Sequence, residues 1–514
     1  MYPLSKTEVL ADPFISATIF HVQSEPGLRS VVERFIAAAA QPAVLDPGEE
    51  PLPLVGQNWD ITEWNGRLTL QAWDTNRNLV RKIVSLKDQS RDRITLGTER
   101  FPRTAGELQI ADMAAARGVE LRRKSTRMAF RDRFRLMLMR EFPEWHTEDV
   151  SADDNLEQSL SPSYVRAWLR RGSGTSSTGI AVMAAPPDAF DPSAVVPFGL
   201  IWLDYLRRRE KGLSIRRLML FVPLHEERAT SLRAALIDPA RVDCQLYGYD
   251  ERDCTGLIDF ADAGNVESTL PPCRRPLQPN VEPGDHSGLP GEVDRVEQSD
   301  GSFSLRIRGL EFGRSAGGRY SCGIGKKRPC TAATLERMAS EVARLRRPDA
   351  EDRQHPLYSQ APEGWLEAQV RAHPQIVDAS LRHGPIYGQV PIFSGPERGV
   401  IDLLGVDDTG RLTVIELKTT ADLQLPFQAL DYWLRVRKHL AAGDFERLGY
   451  FPGVTILRDA PRILLVAPAL EFHSTTETVM EALVPHIDFT RIGVGANWRS
   501  ELKVMFRLLG AQRP

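Results

Sequence analysis

Two periods run through the pattern of apolar and polar positions in this 514-residue chain. Short runs alternate with a period of two, and longer ones repeat every three to four residues, which together predict a mixed α/β protein. In Leu412-Thr413-Val414-Ile415-Glu416-Leu417-Lys418, a strand would place Leu412, Val414, Glu416 and Lys418 on one face and Thr413, Ile415 and Leu417 on the other. Before it, an aspartate, Asp402, closes the apolar run Val400-Ile401, and Asp407-Asp408-Thr409-Gly410-Arg411 reads as the turn joining two antiparallel strands. A helix is predicted upstream from Trp365-Leu366 and Gln369-Val370, stopping at His373-Pro374. Another opens at Pro426 and carries Gln428, Tyr432 and Arg435 on one face, and the apolar run 462–468 closes the set as a strand.

The same order of elements is read earlier in the chain. A helix at 130–145 precedes a strand, a Gly/Ser turn and an apolar strand within 159–186. A helix containing Leu203-Asp204-Tyr205 follows, matching Leu430-Asp431-Tyr432, and the run 216–224 parallels 461–470. This suggests an internal duplication in which the first copy has lost its chemistry. Arg166-Ala167 stands where Asp402 would be, Val182-Met183-Ala184 where Glu416-Leu417-Lys418 would be, and Ile201 in place of Gln428. Each copy is preceded by a β-rich stretch, 59–86 and 291–325, split by Asn-Gly or Asp-Gly turns. In the second of these, Arg306, Arg308, Phe312, Arg314, Arg319 and Tyr320 lie on a Gly-rich ribbon, read as an ordinary sheet edge in preference to a nucleic-acid reader. The Pro/Gly-rich stretch 268–291 reads as a linker. The expected organisation is therefore a β-rich region at 1–115, a degenerate α/β domain at 116–275, a linker with a β-rich module and basic helix at 276–350, and an α/β domain at 351–514.

Composition narrows the class. The apolar and charged fractions, 42% and 26%, are those of an ordinary globular protein. No apolar run is long enough to span a bilayer and the start lacks a signal-like pattern, so no membrane partner and a cytoplasmic location are expected. Five cysteines without a CxxC pair speak against structural zinc or a disulfide framework. A net charge of −3 means that any contact with nucleic acid must be local. Candidate patches are Arg122-Arg123-Lys124, Arg207-Arg208-Arg209, Lys326-Lys327-Arg328 and Arg344-Leu345-Arg346-Arg347, each more often a solvated face than a phosphate track.

A carboxylate and an ammonium on one face of an apolar strand need a partner or a task, because burying either charge alone is costly. A hairpin that brings Asp402 to Glu416 would offer two carboxylates to a hard cation, and Mg²⁺ uses one or two carboxylates together with waters and substrate phosphate oxygens. Asp402 followed by Glu416-Leu417-Lys418, within helix, strand, strand, helix, strand, resembles the core of the PD-(D/E)XK nuclease superfamily over about residues 360–510. The resemblance implies a restriction-endonuclease-like core, a mixed central sheet flanked by helices, and hydrolysis of phosphodiester bonds. It implies metal binding by Asp402, Glu416 and the Leu417 carbonyl, with Glu367 assisting and Glu363 as the fallback one turn earlier. Lys418 would orient and activate water, and Gln428 would support the site or the substrate. Mg²⁺ or Mn²⁺ is the implied cofactor. DNA is the expected substrate, in repair, restriction or defence, with RNA left open. Tyr432, Arg435, Lys326, Lys327 and Arg328 are candidate nucleic-acid contacts, and a homodimer or an activating protein partner would be compatible with the chain.

Other motifs fail. Gly325-Lys326 is followed by Lys327 and has no glycine five residues before it, so no phosphate loop of an ATP-driven motor is present. His225-Glu226 lacks the second histidine of a zinc protease helix, and no Gly-x-Ser-x-Gly elbow occurs. The rival reading is an inactive nucleic-acid-binding or assembly scaffold with nuclease-like folds; a chance resemblance within another α/β hydrolase is the third.

Overall fold

The structure, a computed structural model, describes residues 25–511 apart from 47–50, 57, 65–66, 74–77, 101–103, 115, 173–176, 261–267, 274–288, 299–300 and 395–396. The chain separates into two compact units, Met1–Met137 and Leu138–Pro514. In the first, helix α1 (Glu25–Ala38) precedes an antiparallel seven-stranded sheet. Its strands are β1 (Pro42–Leu45), β2 (Leu52–Pro53), β3 (Trp59–Trp64), β4 (Arg67–Trp73), β5 (Asn78–Gln89), β6 (Arg93–Arg100) and β7 (Thr104–Asp112). Val32, Phe35 and Ile36 of α1 close the core over Leu70, Ile94, Leu96 and Leu108. The unit boundary falls inside the next helix, α2 (Ala116–Glu141).

The second unit holds three sheets. The first has six strands in the order β8 (His146–Ser151), β9 (Val165–Arg171), β10 (Thr178–Ala184), β11 (Ser214–Pro223), β12 (Asp243–Tyr249) and β13 (Thr255–Ile258). The parallel steps β10 to β11 and β11 to β12 need crossovers, supplied by α3 (Val195–Arg209) and α4 (Glu227–Ala234). Next comes an antiparallel five-stranded sheet of β14 (Val293–Glu297), β15 (Phe303–Ile307), β16 (Leu310–Ala316), β17 (Arg319–Cys322) and β18 (Arg328–Cys330). Helix α5 (Ala332–Leu345) seals one of its faces, with Leu335, Ala339 and Val342 on Leu305, Ile307 and Phe312. Phe312 is therefore a core residue of a closed module and is not displayed on a free ribbon.

Three short helices follow, α6 (Pro356–Ser359), α7 (Pro362–Ala372) and α8 (Pro374–Val377). The last sheet is β19 (Tyr387–Ser394), β20 (Glu397–Val406), β21 (Leu412–Leu417), β22 (Arg462–Pro468), β23 (Phe489–Val494) and β24 (Val504–Leu509). Its crossovers are α9 (Leu425–Ala442), with α10 (Asp444–Arg447) after it, and α11 (Thr476–Glu481). Proline in the first turn starts α9, and Gly443 at φ +72° ends it.

The two six-stranded sheets have one topology. In each, the first three strands are antiparallel, the next two steps are parallel and the last is antiparallel. They also meet through equivalent elements, α3 against α11 and α4 against α9. At the centre lies an isolated antiparallel bridge between Ile237 and Leu483, which follow the ends of α4 and α11. Asp238 N–H donates to the Ala482 carbonyl at 2.8 Å, and reciprocally Val484 N–H donates to the Leu236 carbonyl at 2.9 Å. Such reciprocal bonding defines a local pseudo-two-fold. Trp202, Leu203 and Leu206 share one apolar core with Phe427, Leu430, Trp433, Val479 and Met480.

Part of the expected linker is docked. Leu270 is buried beside Val436 and Phe445, Cys273 N–H donates to the Leu448 carbonyl, and the Pro271 carbonyl accepts from the Tyr450 hydroxyl. The stretch 274–288 lies outside the described residues, as do the Gly/Ser turn at 173–176, the Asn-Gly pair at 65–66 and Asp300 of the Asp-Gly pair. No helix among the described residues is long and apolar enough to cross a membrane.

One charged pair bridges the shared core. Buried Arg233 of α4 forms a two-point contact with Asp431 of α9, at 3.3 and 2.7 Å, and lies over the Phe427 ring. Arg233 also approaches Asp191 at 3.7 Å, but removing Asp431 takes away both of these hydrogen bonds from a buried charge. Asp431→Ala should lower the unfolding free energy by about 3 kcal/mol in urea melts, and the double variant Arg233→Met/Asp431→Leu should recover most of that loss.

Candidate active site

Strand β21 is central and buried along its whole length. Leu412 and Val414 pack with Val436 and Leu440 of α9, whereas Ile415 and Leu417 pack with Trp365 and Val370 of α7. Strand β20 is longer than the apolar run suggested: it continues through Asp402 to Val406. The turn that follows is held by Asp407, whose Oδ1 accepts from the N–H groups of Thr409 and Arg411 at 3.0 and 2.9 Å.

The ladder between β20 and β21 runs from Val406/Leu412 to Leu403/Ile415 and stops there. The next amide reaching across, that of Leu417, is taken by a side chain instead: Asp402 Oδ2 accepts it at 2.9 Å. The two strands thus part at the step that carries Asp402 and Glu416, and the aspartate is fixed by the opening.

Glu416 is almost fully buried, and its Oε2 has no hydrogen-bond partner. Burial, and then the neighbouring Asp402 charge, push its carboxyl well above the ordinary range, with Lys418 acting in the opposite sense. Asp402 is raised to about 6, by burial and by Glu367, against the opposing Leu417 N–H and Lys418. Lys418 lies 3.8 Å from Asp422. Glu363 acts on both Asp402 and Glu416, and Glu367 acts on Asp402. The buried Glu367 accepts from Gln389 Nε2 at 3.0 Å and lies 4.0 Å from Arg371, so its oxygens are engaged. Gln389, Asp422 and Arg371 were not singled out from the sequence; no periodicity marks them.

Helix α9 lines the other side. Gln428 Oε1 is buried without a partner. The Tyr432 hydroxyl is pushed up to about 12 by burial and by the nearby Glu416 charge, with the Val400 backbone acting in the opposite sense. Arg435 lies against β20 at Gly399, where a Cβ would come within 2.5 Å of its Nη1 and 3.0 Å of Tyr432 Cε1. Glycine there makes room for both side chains.

Oxygen chemistry is what this arrangement offers. Two buried acceptors without donors, Glu416 Oε2 and Gln428 Oε1, together with Asp402, suit a hard cation or ordered water. Among the described residues no group of three or more His, Cys, Asp or Glu side chains is gathered into a metal cage. Two carboxylates completed by water and phosphate are the magnesium pattern.

The register of the other six-stranded sheet locates the equivalent positions. Lys418 N–H bonds the Val466 carbonyl as Ala185 N–H bonds that of Phe221, so Met183-Ala184-Ala185 occupies the place of Glu416-Leu417-Lys418. This is one residue later than the alignment by sequence alone. Arg166, paired with Met183, stands in place of Asp402, its guanidinium on the Asp153 carbonyl at 2.6 Å and Ser151 Oγ at 3.2 Å.

The basic patches are mostly structural. Arg207 caps the Ile215 carbonyl, Arg208 pairs with Asp204, and Arg209 pairs with Asp149 and Glu210. Arg346 is fully buried, donating to the carbonyls of Arg308, Leu357, Tyr358, Gln360 and Ala361 over the Trp365 ring. Lys327 binds Glu311, while Lys326 and Arg328 are exposed. The side chains of Arg122 and Arg123 lie outside the described residues.

No family model, no curated protein and no solved structure matches the chain.

The carboxylates bear on stability with a definite sign. A carboxyl whose folded pKa is raised binds protons more tightly when folded, so its ionisation destabilises the fold as pH rises. Asp402→Asn and Glu416→Gln should each raise the melting temperature at pH 7.5, Asp402→Asn by the equivalent of about 1–3 kcal/mol, and the gain for Asp402→Asn should shrink at pH 5. Mg²⁺ or Mn²⁺ should raise the melting temperature of the wild type and leave both variants unmoved.

Proposed function

We propose that the chain is a metal-dependent nuclease of the PD-(D/E)XK type, hydrolysing phosphodiester bonds, with DNA as its substrate class. The observation that carries this reading is the opening between β20 and β21. Asp402 and Glu416 face each other there, both with raised carboxyls, and Glu416 keeps a buried oxygen without a donor. A purely structural strand would have no use for that combination.

Asp402 and Glu416 would hold a divalent ion together with the Leu417 carbonyl, and Glu363 and Glu367 would add negative potential from α7. When bound, the ion supplies a Lewis acid for the scissile phosphate. Lys418 orients a water on the same face as Glu416 and offsets charge growing on the phosphoryl oxygens. Gln428 holds a water or a phosphate through its free end. Tyr432, whose burial keeps it protonated, and Arg435 line the way in along β20.

The first six-stranded sheet is, in this proposal, a duplicated copy with a dead site. Its order and strand sense are the same, it packs by the same surface, and its matching positions carry Arg166, Met183, Ala184 and Ala185. The chain then presents one reaction centre in a two-fold frame. That inert copy is also what favours the second reading, in which both halves are scaffolds for nucleic acid or protein partners.

Cleavage separates the two. Purified wild type with single-stranded, duplex and branched DNA and with RNA should cut at least one in Mg²⁺ or Mn²⁺, and EDTA should stop it. Glu416→Ala and Lys418→Ala should each lose at least about 100-fold in rate. Silence of the wild type on all substrates and with both metals would favour the scaffold.

A further inference from the structure

The five-stranded module between the two α/β halves touches helix α7, which carries Glu363 and Glu367. Its two-residue turn, Arg308-Gly309, lies against the first turn of α7: a Cβ on Gly309 would overlap the backbone of Gly364, which sits between Glu363 and Trp365. Arg346 ties the end of α5 to the carbonyls on either side of this contact. On β14, Asp294 pairs with Arg371 of α7 at 3.2 Å, and Arg371 in turn approaches Glu367. The module is thus clamped to the helix that carries the two outer carboxylates of the site.

The face it turns toward α7 is polar. Leu305 and Ile307 of β15 point to α5, so Ser304 and Arg306 project from the opposite face, and Arg306 pairs across the sheet with Asp294 on one side and Glu311 on the other. Three cations border this face. Arg314 and Lys327 share Glu311, at 2.9 and 3.3 Å. Arg306 has no carboxylate within ion-pair distance among the described residues: its Nε donates to Ser304 Oγ at 3.0 Å, which fixes the guanidinium plane and leaves its outer edge uncommitted. Its charge is nevertheless felt by Glu367. A half-buried arginine, anchored through Nε and close enough to act on Glu367 without pairing to it, is suited to receive an anion.

We propose that this module forms one wall of the substrate-binding surface and that Arg306 contacts a phosphate of the bound strand beside the carboxylate site. The proposal rests on the nuclease reading and adds to it a positioning residue from outside the α/β core. Arg435 on α9 and Arg306 on β15 then supply cationic groups from two different modules, so a strand laid over Asp402 and Glu416 is held by both.

The test uses the full chain carrying Glu416→Gln, so that binding is read without cutting, and fluorescein-labelled single-stranded and duplex oligonucleotides followed by anisotropy over a salt series. Adding Arg306→Ala should weaken binding about threefold to tenfold and reduce the slope of log K against log salt by about one. Arg306→Lys should keep the slope, and Arg337→Ala, on the exposed side of α5, should change nothing. In the Glu416 wild-type background, Arg306→Ala should raise KM more than it lowers kcat. If the Glu416→Gln chain binds and Arg306→Ala leaves affinity and slope unchanged, this proposal fails while the nuclease reading stands. If that chain binds no oligonucleotide of either kind, both fail. A loss caused by misfolding would appear as a lowered melting temperature and would extend to Arg306→Lys, and a slope lost equally in both variants would also overturn the assignment.

Discussion

The opening of the sheet between β20 and β21 is the constraint on which the rest of this half of the molecule depends. Antiparallel strands normally satisfy every inward amide by a backbone carbonyl. Here the ladder ends at Leu403/Ile415 and the Leu417 amide is completed by Asp402, so the carboxylate is a structural element of the sheet as well as a chemical group. Its neighbour Glu416 keeps one buried oxygen, Oε2, without a donor. The apolar packing of Trp365, Val370, Val436 and Leu440 on both faces of β21 must therefore outweigh the burial of two acids. Full burial of each large apolar side chain contributes about 1.5–3 kcal/mol, enough for such a cluster to hold groups that would otherwise escape to water.

The pseudo-two-fold sets that centre in a frame of paired helices. Equivalent helices meet in equivalent pairs, and the Ile237/Leu483 bridge with its reciprocal hydrogen bonds locks their ends. The two sides are not chemically equal: the Arg233–Asp431 contact has no counterpart, because Val479 occupies the matching position on α11 and Asp204 is engaged by Arg208. The other sheet holds no carboxylate at the matching positions: Arg166 lies opposite Met183 there, and both are buried. Met183, Ala184 and Ala185 are all buried there.

Much of the α/β organisation was legible in the sequence because period and punctuation agree. The alternation through Leu412–Lys418, the Asp407–Arg411 turn and Pro426 each correspond to an element or its boundary. The side chains around the centre were less legible. Asp402 lies inside a strand that continues past it, and Gln389, Asp422 and Arg371 reach the site through tertiary packing that no local pattern encodes. Basic clusters misled for the same reason: Arg346 in a run of arginines is a fully buried carbonyl clamp, and burial is a property of the fold. The stretch around Leu270 read as linker because it has no period, yet one leucine and a few backbone bonds suffice to dock it.

Proton release on metal binding tests the central claim most directly. At pH 6 Asp402 is partly protonated, and a divalent ion must displace that proton. Calorimetric titration of Mn²⁺ into the wild-type protein, in two buffers of different ionisation enthalpy, reads that displacement as a buffer-dependent heat. The account predicts net proton release at pH 6 that fades toward pH 8 and is lost in Asp402→Asn. Mn²⁺ binding with no proton release, or with the same release in Asp402→Asn, would contradict it.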